Sequence, residues 1–164
     1  GGMDSLRMVD NEELDLAITI YEADYCRDLN YVKLFESECC FCTNAENSLV
    51  ERTQVAVSDL ADEKLVMLQG GFFVNRMVFQ AFEEAGIKPN LILRSAQLHT
   101  VKSLVAKNIA STFLMRETVI DDPKIIAIPF VESLKINAGL VTKPRRQLYS
   151  DAKKLISFMR QKFK

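Results

Sequence analysis

The chain has 164 residues, a formal net charge of −1, 48% hydrophobic and 26% charged residues, one histidine and no tryptophan. That balance fits one domain, or two small lobes sharing a sheet, and excludes a disordered segment. No stretch approaches the roughly 18 uninterrupted apolar residues of a membrane span, and a charge near zero argues against a direct grip on a nucleic-acid backbone. Residues 1–60 carry 13 acidic and 4 basic groups, whereas residues 121–164 carry 4 acidic and 10 basic ones, the pattern of solvated helix faces. The opening Gly-Gly-Met-Asp lacks the basic and apolar regions of a secretory signal, so a cytoplasmic location is expected.

In chain order, Met3–Asn11 reads as a helix that Asp4 can cap, with Leu6 and Val9 three apart. Leu14–Ile20 follows as a strand with too few polar interruptions for a sheet edge. Glu22–Asn30 is turn-like, Tyr31–Phe35 and Cys39–Thr43 read as two strands, and Thr43–Val50 as a loop. Thr53–Asp62 contains a short capped helical turn. Leu65–Leu68 is then a buried strand, broken at Gly70-Gly71. Phe73, Met77, Ala81 and Ala85 recur every four residues, with Val78 and Phe82 beside them, which predicts a helix with one apolar face. Gly86 supplies its left-handed cap and Pro89 stops it.

The pattern repeats as strand Leu91–Arg94, helix Gln97–Lys107 and strand Ser111–Met115, and two successive βα units predict parallel strands. Lys124–Phe130 and Leu134–Thr142 read as two more strands. A terminal helix from about Leu148 carries Leu148, Ala152, Leu155, Ile156 and Met159 on one face and Lys153, Lys154, Arg160 and Lys162 on the other. In open α/β sheets ligands bind beyond the carboxyl ends of strands, near helix N-termini that attract anions. Gly70–Phe73 is therefore the first candidate for a pocket wall.

Little else carries chemistry. No GxxxxGK[ST], GxGxxG, GxSxG or HExxH pattern occurs, and the single histidine, His99, limits acid-base and metal options; no enzymatic activity, cofactor or metal is expected. Asp121-Asp122 and Glu83-Glu84 are adjacent pairs and read as solvated surface. Of Cys26, Cys39, Cys40 and Cys42, three cluster in ECCFC, but CCxC without a second CxxC is a poor zinc pattern. These cysteines read as small buried hydrophobes, with a redox-sensing thiol as the alternative.

The segments GGMDSLRMVDNEELDLAI, VSDLADEKLVML, AGIKP and SLVAKNIASTFLM, in this order, resemble the effector-binding domain of LysR-type transcriptional regulators over essentially the whole chain. Glu12–Ile18 corresponds to the family's "gElDlAI" strand, Ser58–Val66 to "sLaDLadepli" and Leu104–Ala110 to "lVaaGlGia". The resemblance implies an α/β fold of two periplasmic-binding-protein-like lobes, a sandwich of mostly parallel sheets flanked by helices, with two crossing strands as hinge. Lobe I is expected at 1–45 and 114–164, incomplete at its N-terminus, and lobe II at 46–113. The family's first strand, first helix and second strand have no counterpart here, nor has its winged helix-turn-helix. Where the family has glycines and a proline, this chain has Asn108, Ala110 and Met115, which implies a different local shape at the second crossing.

The resemblance further implies a small-molecule effector in the interlobe cleft, a homodimer or tetramer, DNA contact only through the absent N-terminal domain, and no membrane partner. A solute-binding protein of the same fold is the alternative. Carried over by position, the cleft walls are Gly1, Gly2 and Met3, the strand end at Thr19 and Ile20, the turn Gly70, Gly71, Phe72 and Phe73, and Gln97. No arginine stands at the Ile20 position, so a bidentate dicarboxylate clamp is not expected there. Phe72 and Phe73 imply an aromatic or partly apolar effector, with N–H groups at Gly70 and Gly71 free for a carboxylate.

Overall fold

The computed structural model describes residues 2–21, 28–69 and 73–163. Its contacts divide the chain into two compact units, residues 1–37 with 136–164 and residues 38–135. Two long strands, β2 (Asn30–Asn44) and β6 (Ile125–Thr142), are each continuous through a boundary of these units. Each was expected as two short strands. Polar residues at Glu36-Ser37-Glu38 and Glu132-Ser133 interrupt the apolar pattern, but a strand is held by its ladder and needs no unbroken apolar run.

The first unit begins with α1 (Gly2–Asp10), whose Leu6 and Val9 pack on Ala17 and Tyr21 of β1 (Leu16–Tyr21), with Leu29 and Val141 completing the core. β1 runs antiparallel to the end of β6, Leu16 opposite Thr142 and Tyr21 opposite Asn137. Contrary to expectation, β1 stands at the end of the described strand order β1-β6-β2-β5, with Ile18 49% exposed. An apolar run reports how a strand's faces are covered and says nothing of whether its edge is paired. After α1 the chain turns through Glu12 at φ 63°. Arg146 secures this turn, donating from Nη1 to the Glu12 carbonyl at 2.9 Å and pairing from Nη2 with Asp15 at 2.9 Å. The terminal helix α4 (Ser150–Lys162) starts after Leu148, and none of its residues is fully buried; Ala152, Ile156 and Met159 are half-covered, whereas Leu155 of the expected apolar face is exposed.

The second unit contains the expected βαβ unit: β3 (Lys64–Leu68), α2 (Phe73–Glu84) and β4 (Asn90–Ser95), with β3 and β4 parallel. Next come α3 (Leu98–Ala106) and β5 (Thr112–Met115); β5 runs antiparallel to β2, while Ser111 just before it bridges in parallel to Leu65. The fold is thus α/β, with antiparallel ladders on the two long strands and the parallel one at β3–β4. Two cores flank β5. Cys40, Cys42, Leu114, Val66, Val101 and Val105 fill the α3 side. On the other, the Phe113 ring lies 6.0 Å from Phe41, 6.0 Å from Phe82 and 5.8 Å from Phe130.

Helix ends follow the same logic. Gly86, at φ 66°, ends α2 with its N–H on Glu83 O at 2.9 Å and that of Ile87 on Phe82 O at 2.9 Å, a Schellman cap. α3 ends identically on Asn108 at φ 55°, with Asn108 N–H to Val105 O at 2.9 Å and Ile109 N–H to Leu104 O at 3.0 Å. Asparagine therefore supplies the left-handed conformation that a glycine would take, and Met115, at φ −65°, adopts the angle that proline fixes. Asn108→Gly should leave the urea midpoint nearly unchanged, whereas Asn108→Val should lower stability by about 1–2 kcal/mol, since a β-branched residue is strained at positive φ.

Candidate functional site

The expected site residues fall into two groups, one in each unit. In the first unit α1 starts directly against the end of β1. A Cβ on Gly2 would stand 2.8 Å from Thr19 Oγ1 and 3.7 Å from the Ile20 carbonyl oxygen. Glycine thus lets the helix start close to the strand end, and Gly2, Thr19 and Ile20 meet as a half-buried wall. The Thr19 hydroxyl donates to the Ile20 carbonyl at a loose 3.4 Å. Met3 turns instead toward the unit's own core, packing on the cluster around Leu6 and Val9.

In the second unit two parallel strands end side by side, each followed by a helix N-terminus. The Gln69 N–H donates to the Ser95 carbonyl at 2.7 Å, so the ends of β3 and β4 are tied together. Asn75 Nδ2, buried in the first turn of α2, donates to the Leu68 carbonyl at 2.6 Å and ties the helix to β3. Neither Asn75 nor Ser95 stands out by motif. The available signal is a polar residue in the apolar helix face beside Phe73 and Val78, where asparagine is a poor helix former.

Gln97 is exposed just before α3. Its N–H donates to Ser95 Oγ at 3.1 Å and its Oε1 accepts from Thr100 Oγ1 at 3.2 Å. With the oxygen thus engaged, Nε2 has no partner among the described residues. Phe73 is only 4% exposed, with the Arg76 guanidinium 5.5 Å above its ring, so its aromatic face is already covered. Gly1, Gly70, Gly71 and Phe72 lie outside the described residues. The described polar groups beside the strand ends are the Ser95 hydroxyl and the Gln97 side-chain amide.

Cys39, Cys40 and Cys42 are free thiols with no exposed surface. Burial pushes Cys40 up to about 11, partly offset by Arg116, and Cys42 up to about 12; Cys39 is raised well above the usual thiol range by burial and then by Cys42 and Cys40. A redox sensor needs an exposed, acidified thiol, and these have neither property. The sign of the linkage follows. The folded state favours the neutral thiol, so its contribution is complete below the ordinary value of 9.0 and is lost as pH rises from there through about 12. Urea midpoints should fall over that window, and Cys42→Ala should flatten the fall. Among the described residues no group of three or more His, Cys, Asp or Glu is placed to hold a metal ion, and no helix is long and apolar enough to cross a membrane.

The fold and the paired strand ends define the chain as an α/β ligand-binding domain. The family model described as "LysR substrate binding domain" matches residues 2–164, and the chain belongs to that family, which is one of transcriptional regulators. The regulatory domain of Synechocystis PCC6803 CcmR, solved in complex with 2-PG, superposes with a TM-score of 0.89 at 16% identity, over 100% of this chain and 80% of that one. The effector-binding domain of QuiR, in complex with shikimate, gives 0.83 at 15% identity, over 98% and 77%. An uncharacterized HTH-type transcriptional regulator, YybE of Bacillus subtilis, is 24% identical over 100 residues, which is 61% of this chain and 34% of that protein. The match thus spans about a third of the length of that curated relative.

Proposed function

We propose that the chain is the effector-sensing part of a LysR-type regulator and binds a small-molecule effector. The proposed effector contacts are the backbone of Gly2 and Met3 with Thr19 and Ile20, and Gly70, Gly71, Phe72, Phe73 and Gln97. The observation that carries this reading is the family match over residues 2–164, together with the paired ends of β3 and β4 at two helix starts. Effector contacts that differ between lobe arrangements bias the population, and an attached DNA-binding segment in a homodimer or tetramer reads that bias. Lobes with boundaries near 45/46 and 113/114 belong to the same proposal. The covered ring of Phe73 and the exposed Gln97 amide favour a carboxylate or hydroxylated effector over a purely aromatic one.

A thermal-shift screen of small carboxylates and hydroxy acids on the complete regulator tests this. A binder of the folded state at one hundred times its Kd adds about 2.7 kcal/mol of stability, which shifts the melting temperature by roughly 5–10 °C in a protein of this size class. A panel in which no compound moves the transition speaks against effector sensing by this class of ligand.

A further inference from the structure

The two long strands are where the chain passes from one unit to the other, and one charged set sits at that passage. Glu38 on β2 is the first residue of the second unit, Arg116 follows β5, and Ser133 lies on β6. These strands stand in the order β6-β2-β5. Arg116 donates to a single oxygen of Glu38, from Nε at 2.9 Å and from Nη2 at 2.5 Å. That leaves Glu38 Oε2 for Ser133 Oγ at 3.5 Å. One carboxylate therefore joins the segment after β5 to β6 across the strand that lies between them.

We infer that Glu38, Arg116 and Ser133 form a brace that holds β2 and β6 closed where they leave the second unit, and so sets how readily this crossing opens. Three observations support it. Glu38 and Ser133 lie among the polar residues, Glu36-Ser37-Glu38 and Glu132-Ser133, that interrupt the apolar pattern of the two strands. Neighbouring Cys39 and Cys40 are fully buried, so the brace sits at the end of a rigid stretch. Arg116 is fixed by two donors on one oxygen, a geometry that lysine cannot reproduce. The inference does not need an effector; if the effector-binding reading holds, the brace is what an effector works against.

Hydrogen exchange on this chain without ligand tests it. Glu38 and Arg116 keep 29% and 43% of their side-chain surface exposed, so the pair contributes modestly and its loss should act locally. Arg116→Gln and Glu38→Gln should each speed exchange roughly threefold to fivefold in peptides covering 34–40 and 131–137, and leave peptides covering 64–68 and 98–106 unchanged. The double variant should be no faster than either single one, and the exchanged pair Glu38→Arg with Arg116→Glu should recover most of the protection. Unchanged exchange at the crossing overturns the brace. So does equal acceleration in all four regions, which marks a general loss of stability. Because no effector is present, neither result bears on effector binding, and a failed effector screen leaves the brace intact.

Discussion

Phe113→Ala is expected to destabilise the second unit by about 3–5 kcal/mol, a large part of the roughly 5–15 kcal/mol that holds a typical domain folded. Phe113 is 3% exposed and lies within 6.0 Å, centroid to centroid, of the rings of Phe41, Phe82 and Phe130. It stands opposite Phe41 in the β2–β5 ladder. Truncation removes one ring and the edge or face contact of three others, each such pair contributing about 0.5–1.5 kcal/mol beyond its buried area. The cavity is bounded by α2 and by two ladders, so it closes poorly. Urea unfolding reads the change as a lower midpoint at unchanged slope. Phe113→Leu should cost far less, and an alanine variant within about 1 kcal/mol of the parent would show that the cluster is not the centre of this unit.

The second large effect is expected at Gly139. It pairs with Thr19 in the β1–β6 ladder. A Cβ there would lie 2.5 Å from Tyr21 Cε1 and 2.6 Å from the Val32 carbonyl oxygen. The tyrosine ring is 4% exposed and its centroid is 4.6 Å from that of Tyr31, so neither ring nor backbone yields easily. Gly139→Ala should therefore cost about 3 kcal/mol, near the top of the overpacking range. The strain is relieved by moving β1, which carries Thr19 and Ile20. Effector affinity of the complete regulator should fall with stability, whereas Phe113→Ala acts on stability alone. Equal melting temperatures for Gly139→Ala and the parent would mean that the strands are not as closely packed as described.

The helices were the most legible part of the fold. Phe73, Val78 and Phe82 of the expected apolar face are buried in α2, while Met77 and Ala81 are half-buried and Ala85 is exposed beyond its end; Gly86 caps the helix as expected. The long strands were not legible, because their polar breaks at Glu38 and Ser133 are met by partners distant in sequence. Periodicity records which face is covered, and Arg116 leaves no mark on the pattern of β2. For the same reason β1, apolar on both faces, was expected inside a sheet and stands at the end of the described order. Among the candidate site residues, pattern pointed only to Gly70–Phe73, of which Phe73 alone lies among the described residues. The meeting of Gly2 with Thr19 depends on how α1 packs on β1, and the resemblance to a family supplied it where spacing could not. Asn75, which ties α2 to β3, and Ser95, which joins the ends of β3 and β4, act through backbone carbonyls and so have no motif.

Chemical-shift mapping reads effector binding at the proposed contacts residue by residue. The isotope-labelled regulator is titrated with whichever compound raises its melting temperature. The expected result is saturable shifts at the amides of Gly2, Met3, Thr19 and Ile20 and at those of Phe73 and Gln97 with the Gln97 side-chain amide. Saturable shifts centred away from all of these residues would contradict the proposed effector contacts.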